Sequence, residues 1–224
     1  MLDDTTADLV VGLMLATARR FVEAAQTVKD GTWTVWRHPW MCGKDVHGST
    51  VGLVGFGRIA QRVAKRLKAF DCHILYHGPR EKPAEAAAVD AEFVSLDDLL
   101  ARSDFVVPQC PLLPSTRHLF SEPQFERMKR DAIFINTTRG QVVKQEALVT
   151  ALQKGWIAAA GLDVTDPEPL PTDSPLLSLP NCVILPHIGS ATTATRKRML
   201  KTAADNLVNW SKGELDKVHV VSPQ

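Results

Sequence analysis

The sequence predicts an α/β fold, a doubly wound parallel sheet with helices on both faces. Three observations carry this. A short apolar strand at 51–54 runs into the glycine turn Gly55-Phe-Gly57 and from there into a helix with one apolar face. Short apolar runs and helix-period segments then alternate to the end of the chain, the pattern of strands joined by crossover helices. A loop between Thr165 and Pro180 holds Pro167, Pro169, Pro171, Pro175 and Pro180, too rigid for a regular element. Long shaped loops at strand ends are where such sheets keep ligand chemistry.

Taken in order, Thr5 and Thr6 read as N-caps of a helix over 7–23. Its apolar residues, Ala7, Val10, Val11, Leu13, Met14, Leu15, Ala18 and Phe21, wrap nearly all the way round. Such a helix needs cover on more than one side, and the sequence predicts that something beyond this chain supplies part of it. A segment with Trp33, Trp36 and Trp40, broken by Pro39 and Gly43, leads into the strand at 51–54. Further strands are expected at 72–76, 104–107, 132–136, 158–162 and 182–185. Helices are expected at 57–69, 96–102, 121–130, 144–154 and 191–212, the last with an apolar stripe of Met199, Leu200, Ala203, Ala204 and Leu207.

With 224 residues, 45% hydrophobic content and a net charge of +1, the chain can bury a core and presents no electrostatic case for nucleic acid or a membrane surface. Cys42, Cys72, Cys110 and Cys182 lie too far apart for a metal site and read as reduced, mostly buried thiols of a cytoplasmic protein. The apolar run at 9–16 follows Asp3 and Asp4, where a secretory signal needs positive charge, and is too short to span a bilayer.

The turn itself points to a dinucleotide. Gly55 permits the tight bend, Gly57 lets backbone approach a pyrophosphate, and small Ala60 lets helix and strand pack closely, as in a Rossmann-type domain. An NAD site places a carboxylate about 20 residues on, to bind the ribose hydroxyls. Here stands Tyr76-His-Gly-Pro-Arg80. Arg80, helped by Lys82, suits a 2′-phosphate, so NADP(H) is expected over NAD(H). Three later motifs each put one reactive side chain beyond a strand: Arg139 in Phe134-Ile-Asn-Thr-Thr-Arg-Gly140, Glu168 in Gly161-Leu-Asp-Val-Thr-Asp-Pro-Glu-Pro169, and His187 in Leu185-Pro-His-Ile-Gly-Ser-Ala191. Taken singly, each also fits a strand-end ion pair, a solvated loop carboxylate or a satisfied core histidine.

Together the motifs resemble the D-isomer-specific 2-hydroxyacid dehydrogenases, most nearly the branch acting on glyoxylate and hydroxypyruvate, in which Arg, Glu and His follow the glycine turn in this order. The resemblance covers the chain from Leu2 onward. It implies reduction of a 2-oxoacid to a D-2-hydroxyacid, with Arg139 holding the substrate carboxylate, His187 giving a proton to the carbonyl oxygen and Glu168 favouring the imidazolium. It also implies cofactor contacts at Gly55, Gly57, Arg58, Ile59, Arg80, Pro111, Thr137, Asp163 and Gly189, and a substrate contact at Ser190. It divides the chain into an interdomain helix (1–24), a dinucleotide-binding domain (25–190) and a C-terminal helix and tail (191–224) that return to a substrate-binding domain mostly outside this sequence. Family members dimerise through the cofactor domain, so a homodimer is expected, with Trp36 either in an arm to the second subunit or capping the local core. The same resemblance leaves open a corepressor-like dinucleotide-binding scaffold, or a dehydrogenase for another 2-hydroxyacid.

Overall fold

A computed structural model describes residues 2–219. Seven parallel strands form one sheet in the order β3-β2-β1-β4-β5-β6-β7: β1 (Thr50–Val54), β2 (His73–His77), β3 (Ala91–Phe93), β4 (Phe105–Pro108), β5 (Ile133–Asn136), β6 (Ala159–Leu162) and β7 (Cys182–Ile184). Strand order reverses between β1 and β4, so a crevice opens there beyond the carboxyl ends of the strands. The register runs Val51 against Ile74 on one side and against Phe105 on the other.

Two apolar layers cover the sheet. On one face α1 (Asp3–Ala18) and α3 (Arg58–Leu67) pack over Val51, Leu53, Ile133 and Ile135. On the other lie α5 (Leu96–Arg102), α6 (Glu122–Arg127) and α7 (Gln145–Lys154), over Val54, Val106, Phe134 and Ala160. Close packing explains the strand glycines. A Cβ on Gly52 would sit 2.4 Å from the Leu99 side chain, and one on Gly161 would sit 2.5 Å from the Thr17 hydroxyl.

The strands anticipated from the sequence appear within a residue or two of their expected places, and β3 and α4 (Pro83–Ala87) are additions. Ala-Glu-Phe is too short to show a strand period, and β3 pairs only at the sheet edge. The helix expected over 7–23 is two helices. Arg20 takes a left-handed conformation, φ 54°, which ends the first helix, and α2 (Phe21–Lys29) starts beyond it. Thr5 and Thr6 do not cap α1, which begins two residues earlier at Asp3; their hydroxyls reach sideways to Thr195 and Gly189 instead.

The all-round apolarity of α1 has its explanation within the chain. Asp4, Asp8 and Gly12 form its narrow exposed edge, while Ala7, Val10, Leu13 and Met14 are fully buried between α3 and β5–β7. Asp4 and Asp8 face Arg62 and Arg66 of α3, pairing at 2.6–3.3 Å. The last helix, α8 (Thr193–Ser211), is the opposite case: Leu200, Leu207 and Trp210 are exposed and nothing among the described residues covers them.

Asp104, ahead of β4, ties the lower ends of three strands together. Its carboxylate accepts from the Thr50 N–H at 2.9 Å and pairs with Lys44 at 3.1 Å and Lys129 at 3.2 Å, while its main chain bonds Thr50 and Ile133. Burial pushes the carboxyl up, but the Thr50 N–H and the two ammonium groups outweigh it and hold it below the usual carboxylate range. A depressed acid adds stability above its unfolded value and loses it as pH falls through the folded one. Asp104→Asn is therefore expected to cost about 1–2 kcal/mol at pH 7, after allowance for partial solvent screening. The gap between variant and wild type should shrink as pH falls below the usual carboxylate range; urea melts showing an equal deficit at neutral and at acid pH would refute this assignment.

Of the four thiols, Cys42 is exposed in the tryptophan segment, against the expectation of mostly buried cysteines. Burial raises Cys72 and Cys110, and pushes Cys182 up to about 12. No described helix is long and apolar enough to cross a membrane.

Candidate active site

The glycine turn sits at the reversal point between β1 and β4. Gly55 has φ 105°, and a Cβ there would fall 2.7 Å from the Gln109 backbone, so only glycine fits. Gly57 is the N-cap of α3 and brings no side-chain cap to the helix. A Cβ on it would meet nothing within 4 Å. The chain therefore leaves room beside the head of α3, at the positive end of the helix dipole, which fits an anionic pyrophosphate. Ala60 is fully buried where the helix meets the sheet, and Ile59 is half-buried.

Arg58 extends from this turn, largely exposed, with its Nε 3.5 Å from Asp3. β2 ends on His77, whose Nδ1 lies 3.1 Å from the Val94 carbonyl, and the first carboxylate after it is Glu81, beyond Arg80 on the exposed loop. Lys82 folds back, its Nζ donating to the Phe56 carbonyl at 3.1 Å and its N–H to the Tyr76 hydroxyl at 2.9 Å. Phe56 and Tyr76 stack beneath, 4.2 Å between ring centroids. Lys82 thus fastens the loop bearing Arg80 to the glycine turn. Pro111 lies exposed beyond β4, and Thr137 is buried at the end of β5 with its Oγ1 3.5 Å from the Gln109 amide.

Arg139, Glu168 and His187 follow β5, β6 and β7. The Arg139 loop is built by Asn136, fully buried, whose amide donates to the Arg139 carbonyl at 3.1 Å and whose Oδ1 accepts from the Thr138 N–H and hydroxyl. The guanidinium is exposed, one of its N–H groups donating to the Thr138 carbonyl at 2.7 Å. Gly140 follows directly and lies flat on the Thr165–Asp166 backbone, which joins the arginine loop to the loop carrying Glu168. Gln141 and Gln145 reinforce that seam through Asp166.

His187 Nδ1 and Glu168 Oε1 are 2.6 Å apart, and both side chains are roughly half exposed. With Nδ1 occupied, Nε2 is the nitrogen left to face a ligand. Asp163, 1% exposed, stands behind this pair: its two carboxylate oxygens accept from the Ile188 and Gly189 N–H groups, each at 2.8 Å. Burial raises the Asp163 carboxyl above the usual range, against the opposing pull of those two N–H bonds and of His187. Gly189 is buried and Ser190 half-buried at the same turn. Among the described residues there is no cluster of His, Cys, Asp or Glu able to hold a metal.

Sequence reasoning passed over Asn136 and Thr6. Asn136 lies inside the first of the three strand-end motifs, but a buried strand-end asparagine shows its task only when its partners are seen. Thr6 meets its partner across 183 residues. The tryptophans do not cap the local core: Trp33, Trp36 and Trp40 are all exposed, Trp36 by 72%.

A seven-stranded parallel sheet with an open glycine-lined helix N-terminus at its reversal point, and a histidine–carboxylate pair beyond the same strand ends, defines a dinucleotide-binding oxidoreductase domain. The chain belongs to the D-isomer specific 2-hydroxyacid dehydrogenases, whose NAD binding domain it matches over residues 11–189. It is 54% identical over 215 residues to the glyoxylate reductase/hydroxypyruvate reductase of Homo sapiens, covering 96% of this chain and 66% of that protein. It is 50% identical to glyoxylate/hydroxypyruvate reductase B of Escherichia fergusonii over 100% of this chain and 69% of that one. Among solved structures, the TT0316 protein of Thermus thermophilus superposes with a TM-score of 0.90 at 48% identity, over 95% of this chain and 66% of that one. The chain thus spans about two thirds of the length of the curated relatives it matches.

Proposed function

We propose that this chain carries the cofactor site and proton-transfer residues of an NADPH-dependent reductase of small 2-oxoacids, glyoxylate and hydroxypyruvate. The 2.6 Å His187–Glu168 pair, on the loops that follow β7 and β6 as the Arg139 loop follows β5, is the observation that carries the reading. The relatives' names supply the substrate class.

Gly55, Gly57, Arg58 and Ile59 hold the pyrophosphate at the head of α3, and Pro111, Thr137, Asp163 and Gly189 line the path toward the strand ends. A reduced nicotinamide held by these residues would supply the hydride for the substrate's carbonyl carbon. Arg139 grips the substrate carboxylate in two-point fashion, with Ser190 beside it. His187 delivers a proton from Nε2 to the carbonyl oxygen, and Glu168 accepts the Nδ1–H, which fixes the ring orientation and favours the imidazolium. Arg80 receives the 2′-phosphate, for which a carboxylate at the end of β2 would be repulsive. A cytoplasmic homodimer, with the exposed tryptophans against a second copy, and the division at residues 24 and 190 complete the proposal.

The test is absorbance loss from NADPH, and separately NADH, on mixing the chain with hydroxypyruvate, together with binding titrations. Arg80→Ala should weaken NADPH about tenfold and leave NADH within about a factor of two. Equal losses for both cofactors would discard the 2′-phosphate role. Binding without turnover would restrict the chain to cofactor binding, and a monomer in sedimentation would remove the dimer.

A further inference from the structure

The turn that presents His187 is held from two sides, and one side is helix α1. His187 has φ 55°, a left-handed conformation that a non-glycine residue keeps only when its surroundings impose it. The N–H side of the turn is fixed by Asp163, as described above. The carbonyl side is fixed by Thr6, whose Oγ1 donates to the Gly189 carbonyl at 3.2 Å in a buried contact, with its methyl 3.6 Å from where a Gly189 Cβ would be. One residue earlier, the Thr5 hydroxyl meets the Thr195 hydroxyl at 2.7 Å, and Thr195 is fully buried at the head of α8.

Both threonines sit inside the first turns of α1, where a hydroxyl serves no cap. Their hydrogen bonds go instead to the two ends of the 189–195 connection, and α1 behind them is anchored to the sheet by Ala7, Val10 and Met14. A hydroxyl donor from a rigid helix to the carbonyl two residues after a strained histidine adds to the contacts that keep that strain.

We propose that Thr6, backed by Thr5, is a positioning residue for His187: it holds the 187–189 turn in the one conformation that keeps the imidazole on Glu168 with Nε2 toward the crevice. This rests on the reading of His187 as proton donor, but the geometry can be tested without turnover. In the 224-residue chain, the hydrogen-bonded Nδ1 proton of His187 should give a downfield proton resonance, assigned by its disappearance in His187→Gln. Thr6→Val, which keeps the shape and removes the donor, should broaden that resonance and speed amide hydrogen exchange at Ile188 and Gly189 at least tenfold. Thr6→Ser should restore both. Where turnover is measurable, kcat should fall about tenfold in Thr6→Val with the cofactor KM unchanged.

Wild-type exchange and an unchanged resonance in Thr6→Val would overturn the proposal. Should Thr6→Val not fold, Thr195→Val probes the same clamp through Thr5: faster exchange and a broadened resonance, at a smaller amplitude, support the clamp, and wild-type values of both overturn it. An unreactive wild-type chain whose resonance and exchange respond as stated would restrict the chain to cofactor binding and leave the clamp standing.

Discussion

On the proposed reductase reading, His187→Gln is expected to lower the turnover of hydroxypyruvate by about a thousandfold while leaving NADPH affinity within a factor of about two. The glutamine amide fills similar space and retains a donor, but it cannot hand over a proton as charge develops on the carbonyl oxygen. General acid catalysis contributes on the order of 10²–10⁴ to such a step, and a group that acts only there changes kcat rather than binding. The geometry singles out this residue because Nδ1 is committed to Glu168 at 2.6 Å, leaving Nε2 as its only other proton site. Glu168→Gln should cost less, about 10- to 100-fold, since the amide oxygen still accepts the Nδ1–H and loses only the charge. Stopped-flow oxidation of NADPH under saturating oxoacid measures both. Should His187→Gln retain a tenth of the wild-type rate, another group donates the proton.

How much of this was legible in the sequence depends on the range of the interaction concerned. The glycine turn was readable because its meaning is local: a strand, a bend demanding φ near 105° at Gly55, and a helix head left bare at Gly57 all occur within eleven residues. The strands were readable because a parallel sheet buried on both faces makes near-continuous apolar runs such as Ile133-Phe-Ile and Phe105-Val-Val. The break between α1 and α2 was not, since the residue that makes it, Arg20, is an ordinary helix former whose left-handed conformation appears only once the chain is folded. Nor was the cover on α1. An all-round apolar pattern says that a helix is enclosed; whether its own sheet or a missing domain encloses it is a matter of topology. For the site, the reactive residue types carried the message, and the neighbours that aim them did not. Asn136 and Thr6 act through backbone groups, which have no sequence of their own to match, and Asp163 was singled out only through the family resemblance.

The same logic gives the second large effect. Gly140→Ala is expected to lower stability by about 3 kcal/mol, the upper part of the usual overpacking range, and the turnover of any surviving protein about a hundredfold. A Cβ at residue 140 would lie 1.9 Å from the Thr165 carbonyl oxygen, 2.1 Å from its carbon and 2.7 Å from the Asp166 nitrogen. All three are main-chain atoms between strand ends, so no side-chain rotation relieves the overlap; reaching ordinary contact at 3.4 Å or beyond requires one loop to move by more than 1 Å. That movement separates Arg139, the preceding residue, from Glu168, three residues past Thr165, and a misplacement of about 1 Å at a reacting group is enough to cost about 10²-fold. At roughly 2–4 °C per kcal/mol for a chain of this size, the melting temperature should drop by about 6–12 °C. Gly12→Ala is the control: Gly12 lies on the exposed edge of α1 with nothing within 4 Å of a new Cβ, so the substitution should leave activity alone and stabilise by about 0.5–1 kcal/mol. Thermal melts and initial rates on both variants decide the matter. A Gly140→Ala protein that melts and turns over like wild type would mean that the arginine and glutamate loops are not held against each other, and that the two side chains find their places independently.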